Sequence, residues 1–225
     1  MIDVAFYFDF VSPYSYLALV QASRFAAEHG VRFDPRPVVY GKILDATGLV
    51  GPAEVEAKRR YTFADILRNA HLLGIPLVGP PAHPFRSLEA LRTVTLFRSD
   101  PRALELAIAL SSACWGEGRD LTDMAVIDEV VIRTGLDAGG LAGRIETSEV
   151  KDALATATAG AIAAGVFGVP TFVVGDELFW GQDRLPLLAA YLDGRLPPAT
   201  ELTAPLLRRP RGADRPKRSP GSRGT

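Results

Sequence analysis

Residues 6 to 18 read FYFDFVSPYSYLA, an aromatic β-like run that meets Ser12-Pro13-Tyr14-Ser15 where a helical pattern begins. Ser12 has the side chain of a helix N-cap, and Pro13 has the fixed φ that suits a first helical position. Cysteines at positions 12 and 15 would form a dithiol; here oxygen stands in both places. A covalent role for Ser12 would need an adjacent base. No Gly-x-Ser-x-Gly elbow is present, and His29, His71 and His83 have no sequence link to it. A helix start does offer backbone N–H donors, the positive end of the helix dipole and a hydroxyl, a set that lowers the pKa of a nearby thiol. Ser12 is therefore suited to hold a thiolate that the chain does not itself own. The natural supplier of such a thiolate is glutathione, and the chain's one cysteine, Cys114, lies on an amphipathic run and reads as a buried, inert residue.

These residues need elements to position them. Val4 to Phe10 reads as a buried strand, and the helix after Ser12 runs to Gly30. Val31 to Tyr40 then resumes extended character, completing a β-α-β unit. From about Gly41 to Gly143 the apolar spacing turns helical, over Glu54 to Leu73, Ser87 to Phe97, Pro101 to Gly116 and Met124 to Thr134. A further helix over Ser148 to Ala164 leads to Thr171–Val174 and Glu177–Trp180, two β-rich runs joined by Gly175-Asp176. Asp183 is placed to cap a last helix ending at Gly194. The order β-α-β, helical insert, α-β-β-α predicts an α/β, thioredoxin-like fold with an inserted all-helical domain. Residues 1–45 and 146–200 would form the discontinuous thioredoxin-like domain, residues 46–145 the insertion, and residues 205–225 a disordered basic tail.

In that order an X-Pro bond before the third strand faces the first helix. Val169-Pro170 is expected to be cis, with the Val169 backbone gripping the cysteinyl part of glutathione. Trp180, Gly181, Gln182 and Asp183 follow the last strand at the same sheet edge, where a carboxylate and a helix start can receive a γ-glutamyl group. They can equally serve as caps and surface charges. Arg86 and Lys58 can meet an acid at the mouth of the helical insert, though each also reads as an ordinary surface charge.

Composition narrows the class. The chain of 225 residues is 48 % hydrophobic and 23 % charged. Its formal charge of −1 conceals a basic stretch from Arg208 to Thr225, seven Lys or Arg against Asp214, which leaves −7 on the rest. An acidic body is a poor nucleic-acid partner. No apolar run reaches bilayer length and no secretory leader is apparent, so no membrane association and a cytoplasmic location are expected. The histidines lack metal-ligand spacing, and no metal is expected.

The chain resembles the 2-hydroxychromene-2-carboxylate isomerases, a branch of the DsbA-like superfamily shared with kappa-class glutathione transferases. FYFDFVSPYSYLA, GPAEVEAKRRY, GIPL, WGEGRDL and above all VFGVPTFVVGDELFWGQDRL carry the likeness, over about residues 2 to 196. The chain departs from many members at Leu49, where they have Asn, and over AHPF. The resemblance implies a glutathione-dependent homodimer that converts 2-hydroxychromene-2-carboxylate to trans-o-hydroxybenzylidenepyruvate. It puts Ser12 at the thiol, Val169-Pro170 and Trp180 to Asp183 on glutathione, and Arg86 near the aromatic acid. The same residues would serve a kappa-like transferase or peroxidase, and the open edge beside Val169 would suit a non-enzymatic peptide-binding module.

Overall fold

The computed structural model describes residues 1–210 and 212. Four strands form one sheet in the order β2-β1-β3-β4. β1 (Ile2–Phe8) runs parallel to β2 (Val31–Pro37), β3 (Thr171–Val174) runs antiparallel to β1, and β4 (Glu177–Trp180) antiparallel to β3. Strand alternation sends Val4, Phe6 and Phe8 to one face, where all three are fully buried. Phe6 stacks against Phe172 at 4.6 Å and Phe33 at 5.6 Å, so one aromatic cluster joins three strands. Pro35 and Pro37 are tolerated because β2 is an edge strand.

α1 (Pro13–His29) starts as its sequence dictates. The Ser12 hydroxyl accepts from the Ser15 amide, Pro13 occupies the first turn, and Gly30 ends the helix at φ 64° with its N–H on the Ala26 carbonyl. Tyr16, Leu17, Leu19 and Phe25 turn inward. Six helices separate β2 from α8: α2 (Tyr40–Thr47), α3 (Glu56–Leu73), α4 (Leu88–Leu96), α5 (Ala103–Ser111), α6 (Met124–Arg133) and α7 (Leu141–Arg144). α8 (Ser148–Ala163) then leads back to the sheet. α2 and α7 fall outside the regular apolar spacing because each buries a single residue, Ile43 and Leu141. Among the described residues no helix is long and apolar enough to cross a membrane.

The helix expected over Pro101 to Gly116 divides in two. The α-helix stops at Ser111, and Ser112–Gly116 forms one π turn. That turn places Trp115 beside the segment that leads into α1. Its indole N–H donates to the Phe10 carbonyl at 2.8 Å, and its carbonyl takes the amides of Val78 and Gly79. A single buried cluster runs from Phe6, Phe8 and Phe172 through Trp115 to Ile127 and Val131, so the inserted helices share the core of the sheet.

Two expectations at the C-terminal side need correction. Asp183 does not cap the following helix. A 3-10 turn, Gln182–Arg184, precedes α9 (Leu185–Leu192), and no side chain caps either element. The cause is Gly181 at φ 114°, which folds the chain so that the Asp183 carboxylate lies back over Gly181 and pairs with Arg184 at 3.1 Å. The tail expected to lack structure from residue 205 is helical to Leu207, in α10 (Ala199–Leu207). The Glu177 carboxylate fixes the start of that helix by accepting from the Ala199 amide at 2.8 Å. Residues 211 and 213–225 of that tail lie outside the described residues.

Candidate active site

A cavity of 410 Å³ opens where the end of β1, the start of α1, the front of α3 and the His83–Leu88 segment converge. Ser12 lies in its wall, 8 % exposed. The Ser12 hydroxyl accepts from the Ser15 amide at 3.3 Å and donates to the Val169 carbonyl at 3.4 Å, so it bridges the helix start and the loop before β3. No acid occupies the first turn of α1. Among the described residues the amides of Tyr14 and Val169 have no hydrogen-bond partner. Ser12, Tyr14 and Val169 all line the cavity, so a hydroxyl and the start of a helix share one wall, a setting that favours an anion.

Asp9 forms the rear of this patch and holds three segments together. Its carboxylate accepts from the Val11 amide at 3.0 Å, the Tyr40 amide at 2.9 Å and the Ser87 hydroxyl at 2.6 Å. Burial pushes its pKa above the ordinary carboxylate value, and the three hydrogen bonds oppose that rise. Across the cavity the His83 ring meets the Val11 carbonyl through Nε2 at 3.0 Å. A carbonyl only accepts, so Nε2 carries the proton. Burial and the nearby Arg59 charge push the His83 pKa down, favouring the neutral ring, and Nδ1 is buried without a partner.

The residues expected from sequence separate into two groups. Ser12, Val169, Trp180 and Arg86 line the cavity. The Val169-Pro170 bond is cis, and the Pro170 carbonyl accepts from the Gly181 amide at 2.9 Å. Lys58 is exposed and does not line the cavity; its neighbour Arg59 does. Arg86 spends its charge on Glu89 at 2.8 Å. Gln182 is buried, and its amide nitrogen donates to Asn69 Oδ1 at 3.1 Å. Asn69 in turn donates to Asp65, which accepts from the Tyr14 hydroxyl at 2.7 Å. The chain Tyr14-Asp65-Asn69-Gln182 thus ties α1 to α3 and α3 to the turn after β4. Asp183 belongs to that turn and Gly181 precedes it, at the same end of the sheet as Ser12 and outside the cavity lining.

Sequence reading missed Asp9, Arg59, Phe63, His83 and Ser87 as lining residues. Pro81 stands two residues before His83 and Pro84 directly after it, the one local sign that this loop is rigid. Trp180 is half exposed and meets the Phe167 ring edge-on at 4.8 Å. Gly168 makes that placement feasible, since a Cβ there would come 2.5 Å from the indole nitrogen.

Fold and site together define a thioredoxin-fold protein whose helix-start motif carries serines where dithiol proteins carry cysteines, with Ser12 in the cavity wall and Ser15 buried. The DSBA-like thioredoxin domain family matches residues 3–193. The 2-hydroxychromene-2-carboxylate isomerase of Pseudomonas putida is 34 % identical over 200 residues, covering 86 % of this chain and 95 % of that protein. Glutathione S-transferase kappa 1 of Homo sapiens is 29 % identical over 214 residues, covering 87 % and 95 %. The solved structure of a 2-hydroxychromene-2-carboxylate isomerase superposes with TM-score 0.80 at 29 % identity, covering 91 % of this chain and 99 % of that one. The chain belongs to the DSBA-like thioredoxin family and, within it, to the 2-hydroxychromene-2-carboxylate isomerases: it is an isomerase.

Proposed function

We propose that the protein is a glutathione-dependent cis-trans isomerase acting on 2-hydroxychromene-2-carboxylate or a related aromatic acid, with trans-o-hydroxybenzylidenepyruvate as product. The observation that carries this reading is the place of the Ser12 hydroxyl, which joins the start of α1 to the Val169 carbonyl in the wall of the cavity that Tyr14 and Val169 also line. These groups fit a thiolate next to an extended peptide backbone, which is what glutathione presents. Bound glutathione would supply a sulfur nucleophile able to add reversibly to the conjugated framework and so free a bond to rotate, with no net redox change.

The chain's own contribution is binding and polarisation. Ser12 turns its hydroxyl proton from the Val169 carbonyl toward the sulfur, while the α1 N-terminus stabilises the negative charge. Val169 pairs its amide and carbonyl with the cysteinyl unit. The turn Trp180 to Asp183 receives the γ-glutamyl end, with Asp183 as acceptor for its ammonium group. Gln182 contributes by holding the turn to Asn69. Pro13, Phe63, Phe85 and Trp180 exclude water from the reacting carbons. A homodimer, a cytoplasmic location, and an organisation of residues 1–45 and 146–200 around a 46–145 insert belong to the same reading.

A spectrophotometric assay with 2-hydroxychromene-2-carboxylate, with and without glutathione, tests it. Isomerisation that is equally fast without glutathione would overturn the dependence. The kappa transferase relative gives a second reading specific support. Recovery of free glutathione marks the isomerase, and accumulation of a thioether conjugate marks the transferase.

A further inference from the structure

The cavity is apolar for most of its wall, yet the reading above places a carboxylate-bearing substrate in it. A cation is the strongest partner for that carboxylate, and the first turns of α3 with the loop that follows it carry four: Lys58, Arg59, Arg60 and Arg86. Three have other engagements or other positions. Lys58 does not line the cavity. Arg60 points to Glu56 at 2.6 Å, and Arg86, 64 % exposed at its side chain, is paired with Glu89. Arg59 lines the cavity and has no acidic partner within 4.0 Å among the described residues.

Arg59 is also aimed. Its guanidinium lies over the Phe63 ring, 5.6 Å from the centroid, and its Nη2 donates to the His83 carbonyl at 3.4 Å. Phe63 and His83 both belong to the cavity wall, so the two contacts hold the guanidinium plane at the rim. The two acids of the lining do not compete for it. Asp9 is occupied by three donors, and Glu54 turns its Oε1 onto the Gly51 amide at 2.9 Å. The remaining donors of the Arg59 fork are free to take both oxygens of one carboxylate, an arrangement a lysine cannot reproduce.

We propose that Arg59 is the residue that reads the substrate's acid group: it receives the carboxylate of a planar aromatic acid at the rim while the ring enters the apolar space between Phe63, Phe85 and Trp180. This assignment rests on the substrate class proposed above but not on the glutathione chemistry. It selects planar acids over their neutral counterparts, and it places the acid at the end of the cavity formed by α3.

Titration calorimetry of the full chain with chromone-2-carboxylate and with its methyl ester tests the assignment without turnover. The wild-type chain is expected to prefer the acid. Arg59→Gln should weaken the acid by at least about tenfold and leave the ester unchanged. Arg59→Lys should recover only part of the loss, and Arg60→Gln should bind like wild type. In the isomerase assay Arg59→Gln should raise KM with kcat little changed, and the affinity for glutathione should not move. The proposal is overturned if Arg59→Gln binds the acid normally, if Arg86→Gln or Lys58→Gln takes the loss instead, or if the wild type fails to distinguish acid from ester. A chain that discriminates through Arg59 yet shows no glutathione-stimulated isomerisation would refute the proposed reaction and uphold the assignment.

Discussion

The Ser12 hydroxyl and the Val169 carbonyl lie 3.4 Å apart although 157 positions separate them in the chain. One hydroxyl therefore does two jobs: it caps α1 through Ser15 and touches the loop that would hold a peptide-like ligand. Replacing Ser12 by Ala removes both. Loss of the cap should cost about 1 kcal/mol of stability, read from denaturant unfolding. The thiol pKa of bound glutathione, followed by thiolate absorbance, should rise by about one unit or more as a charge-assisted hydrogen bond is lost. An unmoved thiol pKa would reduce Ser12 to a cap.

Gly168 and Gly181 give a steric prediction. Gly168→Ala should push Trp180 out of place and shift the emission of that half-exposed indole, because the new methyl would sit 2.5 Å from its nitrogen. Gly181→Ala meets both a φ of 114° and the Asp183 carboxylate at 2.5 Å. It should destabilise by about 1–3 kcal/mol and weaken glutathione through the displaced turn. Wild-type fluorescence and binding in both variants would show that the turn tolerates side chains.

The Asn69–Gln182 contact joins α3 to the turn after β4, so its strength can be isolated. A double-mutant cycle with Asn69→Ala and Gln182→Ala should give a coupling of about 1 kcal/mol. Each single variant should also weaken glutathione binding. Strict additivity in stability would mean the hydrogen bond contributes nothing in solution.

Cys114 yields a pH prediction. Burial, assisted by the Asp120 charge, pushes its thiol from 9.0 up to about 12. The folded pKa exceeds the unfolded one, so the neutral thiol's contribution to stability is complete below pH 9 and is lost as pH rises toward 12. Cys114→Ala should flatten that alkaline decline, as seen in thermal midpoints across this range. An aromatic disulfide reagent at pH 8 should leave the native thiol unmodified and react once the chain is unfolded.

What the sequence made legible were features set by near neighbours. Ser12, Pro13 and Gly30 declare the limits of α1 locally, and Gly175-Asp176 declares the β3–β4 hairpin. What it hid depended on rotation or on distance. Lys58 and Arg59 differ by one position on α3, a turn of about 100° around the axis. Their choice of face cannot be read from spacing because α3 buries only Ile66 and Ala70. Gln182 offered an amide that looked available to a ligand, and its partner Asn69 lies 113 positions earlier. His83 enters the site through a loop that carries no periodicity at all.

The pairing of β1 with β3 also sets a timetable for synthesis. β1, α1 and every helix up to α8 are synthesised before Thr171 exists, so the middle of the sheet stays open on one side until late. Long-range pairing of this kind is slow and leaves strand edges uncovered during folding. The nascent chain therefore carries its helix-start serine for most of translation with no opposing wall, and ligand-binding competence arrives only with the last quarter of the polypeptide.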